Sequence, residues 1–260
     1  MNNAPIGVYD SGFGGLSVWR ELRRMLPNES LIYLGDGKNC PYGGRRRSEI
    51  EAFAVEAVER LVAEGVKMVV VGCNTATTAA VKRLRELWPD MPIVGLEPAV
   101  KPACLTTRTR RIAVLATEHS LKSDMFLDTA RRYAEDVEVL KVVGEGFVEL
   151  VEHDMEGSPE AEQMVRRAVE PLLECGVDKI VLGCTHYPFL RPEIERVVAG
   201  HNIEIIDSGE AVARRVVWLL ERYDIAAEND NNPIMRYLTF ADEEYLRRLE
   251  RKAMNIERTL

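Results

Sequence analysis

The feature that most constrains this chain is an internal repeat. Residues 61–75 align without gaps to residues 172–186, which lie 111 positions further on. Each copy contains a helix end, a glycine turn, a mainly apolar strand and a Gly-Cys pair. The identical pairs are Leu61/Leu172, Gly65/Gly176, Val66/Val177, Val70/Val181, Gly72/Gly183 and Cys73/Cys184. Because apolar strands of this kind are typical of buried parallel sheets, the repeat predicts two similar α/β domains.

The rest of the chain alternates short apolar strands with amphipathic helices, which is typical of parallel α/β layers. We therefore predict an α/β fold with two pseudo-symmetric parallel-sheet domains, the first comprising 1–97 and 208–260 and the second 98–207. The predicted strands are 6–9, 31–34, 68–71, 93–96, 112–116, 137–143, 179–182, 203–206 and 235–240. The predicted helices are 16–26, 48–64, 75–88, 123–133, 159–173, 192–198, 210–222 and 243–252.

Two local signals refine this assignment. Ser48 and Glu51 have the spacing of a capping box, which predicts that a helix starts at Ser48, and Gly65 is predicted to end that helix. The polar segment 228–233 predicts a loop before the last strand.

Composition and charge exclude several protein classes. Hydrophobic residues make up 46% of the 260 and charged residues 29%, which is the balance of a globular protein. No stretch approaches the roughly 18 apolar residues that span a bilayer, and the N-terminus lacks a signal-peptide pattern. We therefore expect a cytoplasmic protein with no membrane partner. The net charge of −8 argues against nucleic acid as the main partner, because phosphate binding needs a basic face.

The five cysteines are predicted to be free thiols, because their number is odd and none forms a Cys-x-x-Cys pair. The repeat distinguishes two of them, Cys73 and Cys184. Each is followed by small polar residues, Asn74-Thr75 in one copy and Thr185-His186 in the other. A buried core does not favour such neighbours, although two core thiols are the alternative interpretation.

Two thiols at equivalent strand ends suit proton transfer at carbon. Cys73 precedes a predicted helix, whose positive end favours a thiolate, and Cys184 has His186 nearby. A thiolate that removes a proton from one face and a thiol that returns one to the other invert a stereocentre without a cofactor. Backbone N–H groups of the strand-end loops can stabilise the carbanion.

Other chemistries fit the sequence less well. The third glycine of a dinucleotide-binding motif falls at Ser17, and no lysine stands in a context typical of pyridoxal phosphate. The paired spacing of zinc ligands is missing around Cys73, Cys184 and His186. We therefore expect no cofactor and no metal. A thiol-based redox protein with a Cys73–Cys184 disulfide is the alternative from a different class.

Five segments together resemble glutamate racemases, which belong to the cofactor-independent aspartate/glutamate racemase family. These segments are 10–16, 35–36 with 41–43, 72–77, 183–188 and 207–211. The resemblance implies two α/β domains with the active site in the cleft between them. It implies interconversion of L-glutamate and D-glutamate, which supplies D-glutamate for peptidoglycan, and we expect a homodimer. A racemase for aspartate or another amino acid is the alternative within this class.

The resemblance also implies roles for individual residues. Cys73 and Cys184 would be the two acid/base residues, and three others, Asp10, Glu152 and His186, would assist the thiols. The substrate-binding residues that it implies are Asp10, Ser11, Pro41, Tyr42, Gly43, Cys73, Asn74, Thr75, Thr117, Cys184, Thr185 and His186.

The chain departs from the family pattern at three places. Thr117-Glu118-His119-Ser120 stands where the family reads Thr-x-Gly-Thr, so His119 replaces a loop glycine. Gly144-Glu145 replaces a Cys-Pro pair before the segment of Glu152. Cys40 precedes Pro41 where a bulkier residue is common.

Overall fold

The computed structural model describes residues 2–228 and 232–258. Its described residues form two compact units. Unit 1 consists of Met1–Leu96 and Gly209–Leu260, and unit 2 consists of Glu97–Ser208.

Unit 1 is built around five strands. They are β1 (Ile6–Asp10), β2 (Leu31–Gly35), β3 (Met68–Val71), β4 (Ile93–Gly95) and β9 (Met235–Thr239). Its helices are α1 (Leu16–Met25), α2 (Arg47–Ala63), α3 (Asn74–Leu87), α10 (Gly209–Arg222) and α11 (Glu243–Glu257). The strands pair in the order β4-β3-β1-β2-β9, in parallel throughout the described residues. Every residue of the three inner strands is buried, as expected where helices cover both faces of a parallel sheet.

Unit 2 contains a four-stranded sheet. Its strands are β5 (Arg111–Ala116), β6 (Glu138–Val143), β7 (Lys179–Leu182) and β8 (Glu204–Ile206). Its helices are α4 (Val100–Thr106), α5 (Glu118–Lys122), α6 (Asp124–Tyr133), α7 (Phe147–Glu152), α8 (Pro159–Leu173) and α9 (Arg191–Val198), with a 3-10 turn at Tyr187–Leu190. The parallel order β6-β5-β7-β8 repeats the order β2-β1-β3-β4 of unit 1. The predicted fold class is therefore confirmed.

The repeat corresponds to equivalent backbone geometry in the two units. Gly65 and Gly176 have φ angles of +77° and +71°, which glycine adopts without strain. The N–H of Gly72 donates to the Tyr9 carbonyl oxygen at 2.6 Å, and the N–H of Gly183 donates to the Leu115 carbonyl oxygen at 2.7 Å. Each Gly-Cys pair is thus fixed to the end of the neighbouring strand.

Several local predictions need correction. The capping box at Ser48 and Glu51 is wrong, since α2 begins at Arg47 and Glu49 accepts the Arg46 N–H at 3.2 Å. Three short helices, α4, α5 and α7, were not predicted because five to seven residues are too few to show a helical period. The last helix runs five residues further than predicted, to Glu257. Within the predicted loop 228–233, residues 229–231 lie outside the described residues.

Membrane insertion through a helix has no support in the described residues. Among 2–228 and 232–258, no helix combines the length and the apolar character needed to cross a bilayer.

Candidate active site

Cys73 caps the amino end of α3. It has extended backbone angles, and its Sγ accepts the Ala76 N–H at 3.4 Å. The Ser11 Oγ lies 3.5 Å from the same sulfur, and the cysteine is 5% exposed. A helix N-terminus and nearby donors stabilise negative charge on sulfur. The geometry therefore suits Cys73 to act as a thiolate.

Asp10 ends β1 immediately before Ser11 and is fully buried. Its Oδ1 accepts the Gly12 N–H at 2.8 Å, which holds the loop in a tight turn. Helix α1 has Gly15 at its N-cap, without a side-chain hydrogen bond to the cap. A Cβ at Gly15 would lie 2.6 Å from the Asp10 Cβ, which shows why this position needs glycine.

A chain of hydrogen bonds lies behind the Asp10 loop. The Tyr42 Oη donates to the Asp36 carboxylate at 2.6 Å, and the Tyr9 Oη lies 2.7 Å from the Tyr42 Oη. Since the Tyr42 proton points to Asp36, Tyr9 is the donor of the second bond. Burial, followed by the charge of Cys73, raises the pKa of Tyr9, and burial also raises the pKa of Tyr42. Both phenols therefore stay neutral, and they fix the segment 41–43.

The first turn of α3 presents buried polar groups. Asn74 and Thr75 are each 4% exposed. Among the described residues, the Asn74 Nδ2 is buried without a hydrogen-bond partner. An orphaned buried donor is costly unless a ligand or water satisfies it. Together with the positive end of the helix, this amide forms a site suited to a carboxylate.

In unit 2, Cys184 belongs to a second chain of polar contacts. Its Sγ lies 3.8 Å from the His186 Nδ1, and the His186 Nε2 lies 2.6 Å from the Glu152 Oε1. Cys184 and His186 are buried, and the Glu152 side chain is 12% exposed. A carboxylate orients a histidine ring and stabilises a proton on it. His186 can therefore share a proton with Cys184 while Glu152 supports the ring.

Helix α7 brings Glu152 to His186, and its start explains one departure from the family pattern. The Tyr187 Oη donates to the Gly144 carbonyl oxygen at 3.2 Å. A Cβ at Gly144 would lie only 2.5 Å from that hydroxyl oxygen. The Tyr187 ring therefore leaves no space for a Cβ at Gly144, three residues before α7, and burial raises the pKa of its phenol.

Thr117 explains the second departure. It is buried and caps α5, with its Oγ1 accepting the Ser120 N–H at 3.3 Å. Because this cap starts a helix, His119 lies within α5 and not in a glycine-dependent loop. At the third departure, Cys40 is half-buried before a cis Pro41, and nothing in unit 1 explains the choice of cysteine.

The structure thus gathers several of the predicted residues into one group in each unit. Ser11 contacts Cys73, with Asp10, Asn74 and Thr75 on the adjoining strand end and helix turn. Glu152 and His186 join Cys184, and Thr185 is buried between the cysteine and the histidine. Pro41 is exposed and Gly43 half-buried beside the buried Tyr42.

The sequence did not identify Tyr9, Asp36 and Tyr187 as supporting residues. The signal for Asp36 was its place directly after β2, where polar groups of an α/β sheet gather. Tyr9 gave no signal, because an aromatic residue in a strand is ordinarily a core residue. Tyr187 lies in the 3-10 turn after β7, within the motif segment 183–188.

Comparison with known proteins gives consistent matches. The family model described as Asp/Glu/Hydantoin racemase matches residues 6–216. A glutamate racemase of Ectopseudomonas mendocina is 46% identical over 227 residues, which is 87% of this chain and 86% of that protein.

Solved structures extend the likeness to the whole fold. A glutamate racemase isoform of Bacillus anthracis has a TM-score of 0.86 and 32% identity, covering 98% of this chain and 95% of that one. A glutamate racemase of Escherichia coli, solved in complex with L-glutamate and the activator UDP-MurNAc-ala, has a TM-score of 0.84 and 32% identity. That match covers 96% of this chain and 95% of the other.

Proposed function

This chain belongs to the Asp/Glu/hydantoin racemase family and is an amino-acid racemase, and from that premise we propose that it interconverts L-glutamate and D-glutamate. The observation that carries the proposal is the pair of cysteines at equivalent strand ends, each with its own polar partners. The relative of known structure that binds L-glutamate supports this choice of substrate.

In the proposed mechanism, one cysteine thiolate removes the α-proton of glutamate. The C–H electron pair stays on carbon as a carbanion, and the second cysteine thiol donates its proton to the opposite face. The product is the other enantiomer, with the first sulfur protonated and the second ionised. The mechanism requires both sulfurs to reach one α-carbon and needs neither cofactor nor metal.

Each of the two thiols has its own supporting residues. Ser11 and the first turn of α3 stabilise the Cys73 thiolate, with Asp10 next to Ser11. His186, supported by Glu152, exchanges a proton with Cys184. The orphaned amide of Asn74 is suited to a substrate carboxylate, on which negative charge grows as the proton leaves.

We propose the remaining substrate contacts from the strand-end segments that surround these residues. In addition to the two cysteines, the binding residues are Asp10, Ser11, Pro41, Tyr42, Gly43, Asn74, Thr75, Thr117, Thr185 and His186. Many of them are buried polar residues, whose side chains suit the polar groups of a small amino-acid ligand.

We propose that the D-glutamate serves peptidoglycan synthesis in the cytoplasm. The Escherichia coli relative supports this, because the activator in its structure carries an N-acetylmuramic acid group. A homodimer, with neither nucleic acid nor membrane as a partner, completes the proposal.

Solvent deuterium incorporation tests the proposal directly. After dialysis against a chelator and without added pyridoxal phosphate, the protein is incubated with single L-amino acids in deuterated water. We expect L-glutamate to gain an α-deuterium and lose optical rotation, and L-aspartate and L-alanine to exchange far more slowly. Faster exchange of aspartate would contradict the substrate assignment. Activity that returns only with added cofactor would contradict the cofactor-free mechanism.

The substitution His186→Asn tests how the two thiols divide the work. Because His186 contacts Cys184, we expect kcat to fall further in the direction in which Cys184 removes the proton. The enantiomers have equal free energies, so kcat/KM must stay equal in both directions and KM must compensate. The measurement is kcat from L to D and from D to L, with the exposed His201→Asn as the control. Equal losses of kcat in both directions would assign His186 to binding or folding.

A further inference from the structure

Helix α11 covers the loop that carries Ser11. Phe13, in the middle of that loop, is fully buried and stacks on the ring of Tyr245, with centroids 4.6 Å apart and planes at 23°. The cationic groups of Arg248 and Lys252 lie 5.1 and 5.6 Å from the Phe13 centroid. About two turns of α11 therefore hold a single loop phenylalanine.

Tyr245 also contacts the loop after β2. A Cβ at Gly37 would overlap the Tyr245 ring, so this glycine leaves the space that the ring fills. Gly37 follows Asp36, whose carboxylate holds Tyr42. Tyr245 therefore packs against two strand-end loops, the one with Ser11 and the one with Asp36.

The helix that presents Tyr245 is anchored at both ends. Asp242 caps it by accepting the Tyr245 N–H at 2.9 Å, and Leu249 is fully buried. At its far end, Glu257 accepts hydrogen bonds from the Trp19 Nε1 at 3.1 Å and from the Arg23 Nε at 2.9 Å. Because both ends of α11 are held, the Tyr245 ring is kept in one position against the Ser11 and Asp36 loops.

We propose that Tyr245 is a positioning residue for the Cys73 half of the reaction, an inference that rests on the function proposed above. Phe13 lies two residues from Ser11, and Ser11 contacts the Cys73 sulfur. By holding Phe13 and Gly37, Tyr245 keeps Ser11 against Cys73 and keeps segment 41–43 in place. A displacement of about 1 Å in such groups can cost about 100-fold in rate.

The test compares Tyr245→Ala with Tyr245→Phe in the full-length protein. The first readout is the rate at which iodoacetamide alkylates Cys73, followed by peptide mass spectrometry, with Cys184 as the internal reference. Cys73 is 5% exposed and contacts Ser11, so displacement of the loop should expose its sulfur further to the reagent. We expect alkylation of Cys73 to accelerate about tenfold in the alanine variant, because a buried aromatic pair is lost. Tyr245→Phe keeps the stacking and should behave like the parent protein.

The second readout is racemisation. Tyr245→Ala should lower kcat/KM for glutamate by about 10- to 100-fold, with the larger loss of kcat in the direction in which Cys73 removes the proton. Glu257→Gln is the matched control, since it weakens the same helix at the end distant from the loops. It should lower the melting temperature and leave both readouts unchanged. If Tyr245→Ala does not fold, Tyr245→Leu replaces it, because leucine fills part of the space without stacking.

Two results would overturn the inference. One is an unchanged rate of Cys73 alkylation in the alanine variant. The other is equal acceleration of Cys73 and Cys184, as general loosening of the protein would produce. The alkylation readout needs no substrate, so a parent protein that fails to racemise glutamate would contradict the proposed function and leave this test intact.

Discussion

Racemisation of glutamate is expected to stop when either Cys73 or Cys184 is changed to serine. A serine hydroxyl is a far weaker base than a thiolate, so we expect kcat to fall by about 1000-fold or more in each variant. The measurement is optical rotation or a coupled assay in both directions. Cys175→Ser is the control, because Cys175 belongs to neither group of site residues and should leave the rate at the parent value.

The two serine variants should differ in which enantiomer of glutamate exchanges its α-proton with solvent. With one thiol left, proton removal and return occur on a single face, so an enantiomer can gain deuterium without inversion. We expect Cys73→Ser and Cys184→Ser to retain exchange of opposite enantiomers, which NMR of the α-position measures. Retention of the same enantiomer in both variants would refute a two-thiol mechanism.

A large loss of stability is expected for Lys67→Met. The Lys67 Nζ lies 2.6 Å from the Glu29 Oε2, with the side chains only 2% and 4% exposed. Burial lowers the pKa of Lys67, while Glu29 opposes that shift. Removing the lysine leaves a buried carboxylate without its cation, which costs about 3–5 kcal/mol in the free energy of unfolding. Urea unfolding at neutral pH measures this loss.

The double variant Glu29→Gln/Lys67→Met separates the charge from the packing. Glutamine keeps an acceptor for the Ala227 N–H, which the Glu29 Oε1 now accepts at 2.7 Å. Because the unpaired charge is gone, we expect the double variant to be more stable than Lys67→Met alone by about 1–3 kcal/mol. Breaking the exposed Arg131–Asp128 pair by Arg131→Met should change stability little. If Lys67→Met and the double variant lose equal stability, the pair does not act through its charge.

Most of the fold was predictable from the sequence, because the repeat and the apolar runs directly indicate the strands of a parallel sheet. The strand 68–71 and the helix 159–173 have the predicted bounds. The predicted start of α2 was wrong because Glu49, and not Glu51, accepts the backbone N–H of Arg46 at the amino end of the helix. An arginine at the position before the helix has no side-chain acceptor, so the usual capping pattern gave no signal there.

Spacing predicted contacts within the candidate site only where its residues lie on adjacent motif positions, whereas Glu152 was implied only by the family resemblance. Cys184 and His186 are two residues apart, and their contact follows from that spacing. Glu152 reaches His186 from 34 residues away through a helix too short to predict. The bond between Tyr9 and Tyr42 spans 33 residues and depends on the pairing of β1 with β2.

One pair of equivalent positions in the repeat carries side chains of opposite charge. Lys67 and Asp178 occupy equivalent positions, one residue after Val66 and Val177. Both are buried, but Lys67 pairs with Glu29, while Asp178 accepts the Arg108 N–H at 2.6 Å. Equivalent backbone positions thus carry opposite charges, because each partner comes from a segment outside the repeat.

The place of β9 has a consequence for synthesis on the ribosome. This strand pairs with β2, yet it leaves the ribosome about two hundred residues later, which takes roughly 10 to 40 s at usual translation rates. Until then the nascent chain displays an open β2 edge and lacks the helix that buries Phe13. An unpaired strand edge readily recruits other chains. The growing polypeptide is therefore most prone to aggregate before β9 and α11 appear.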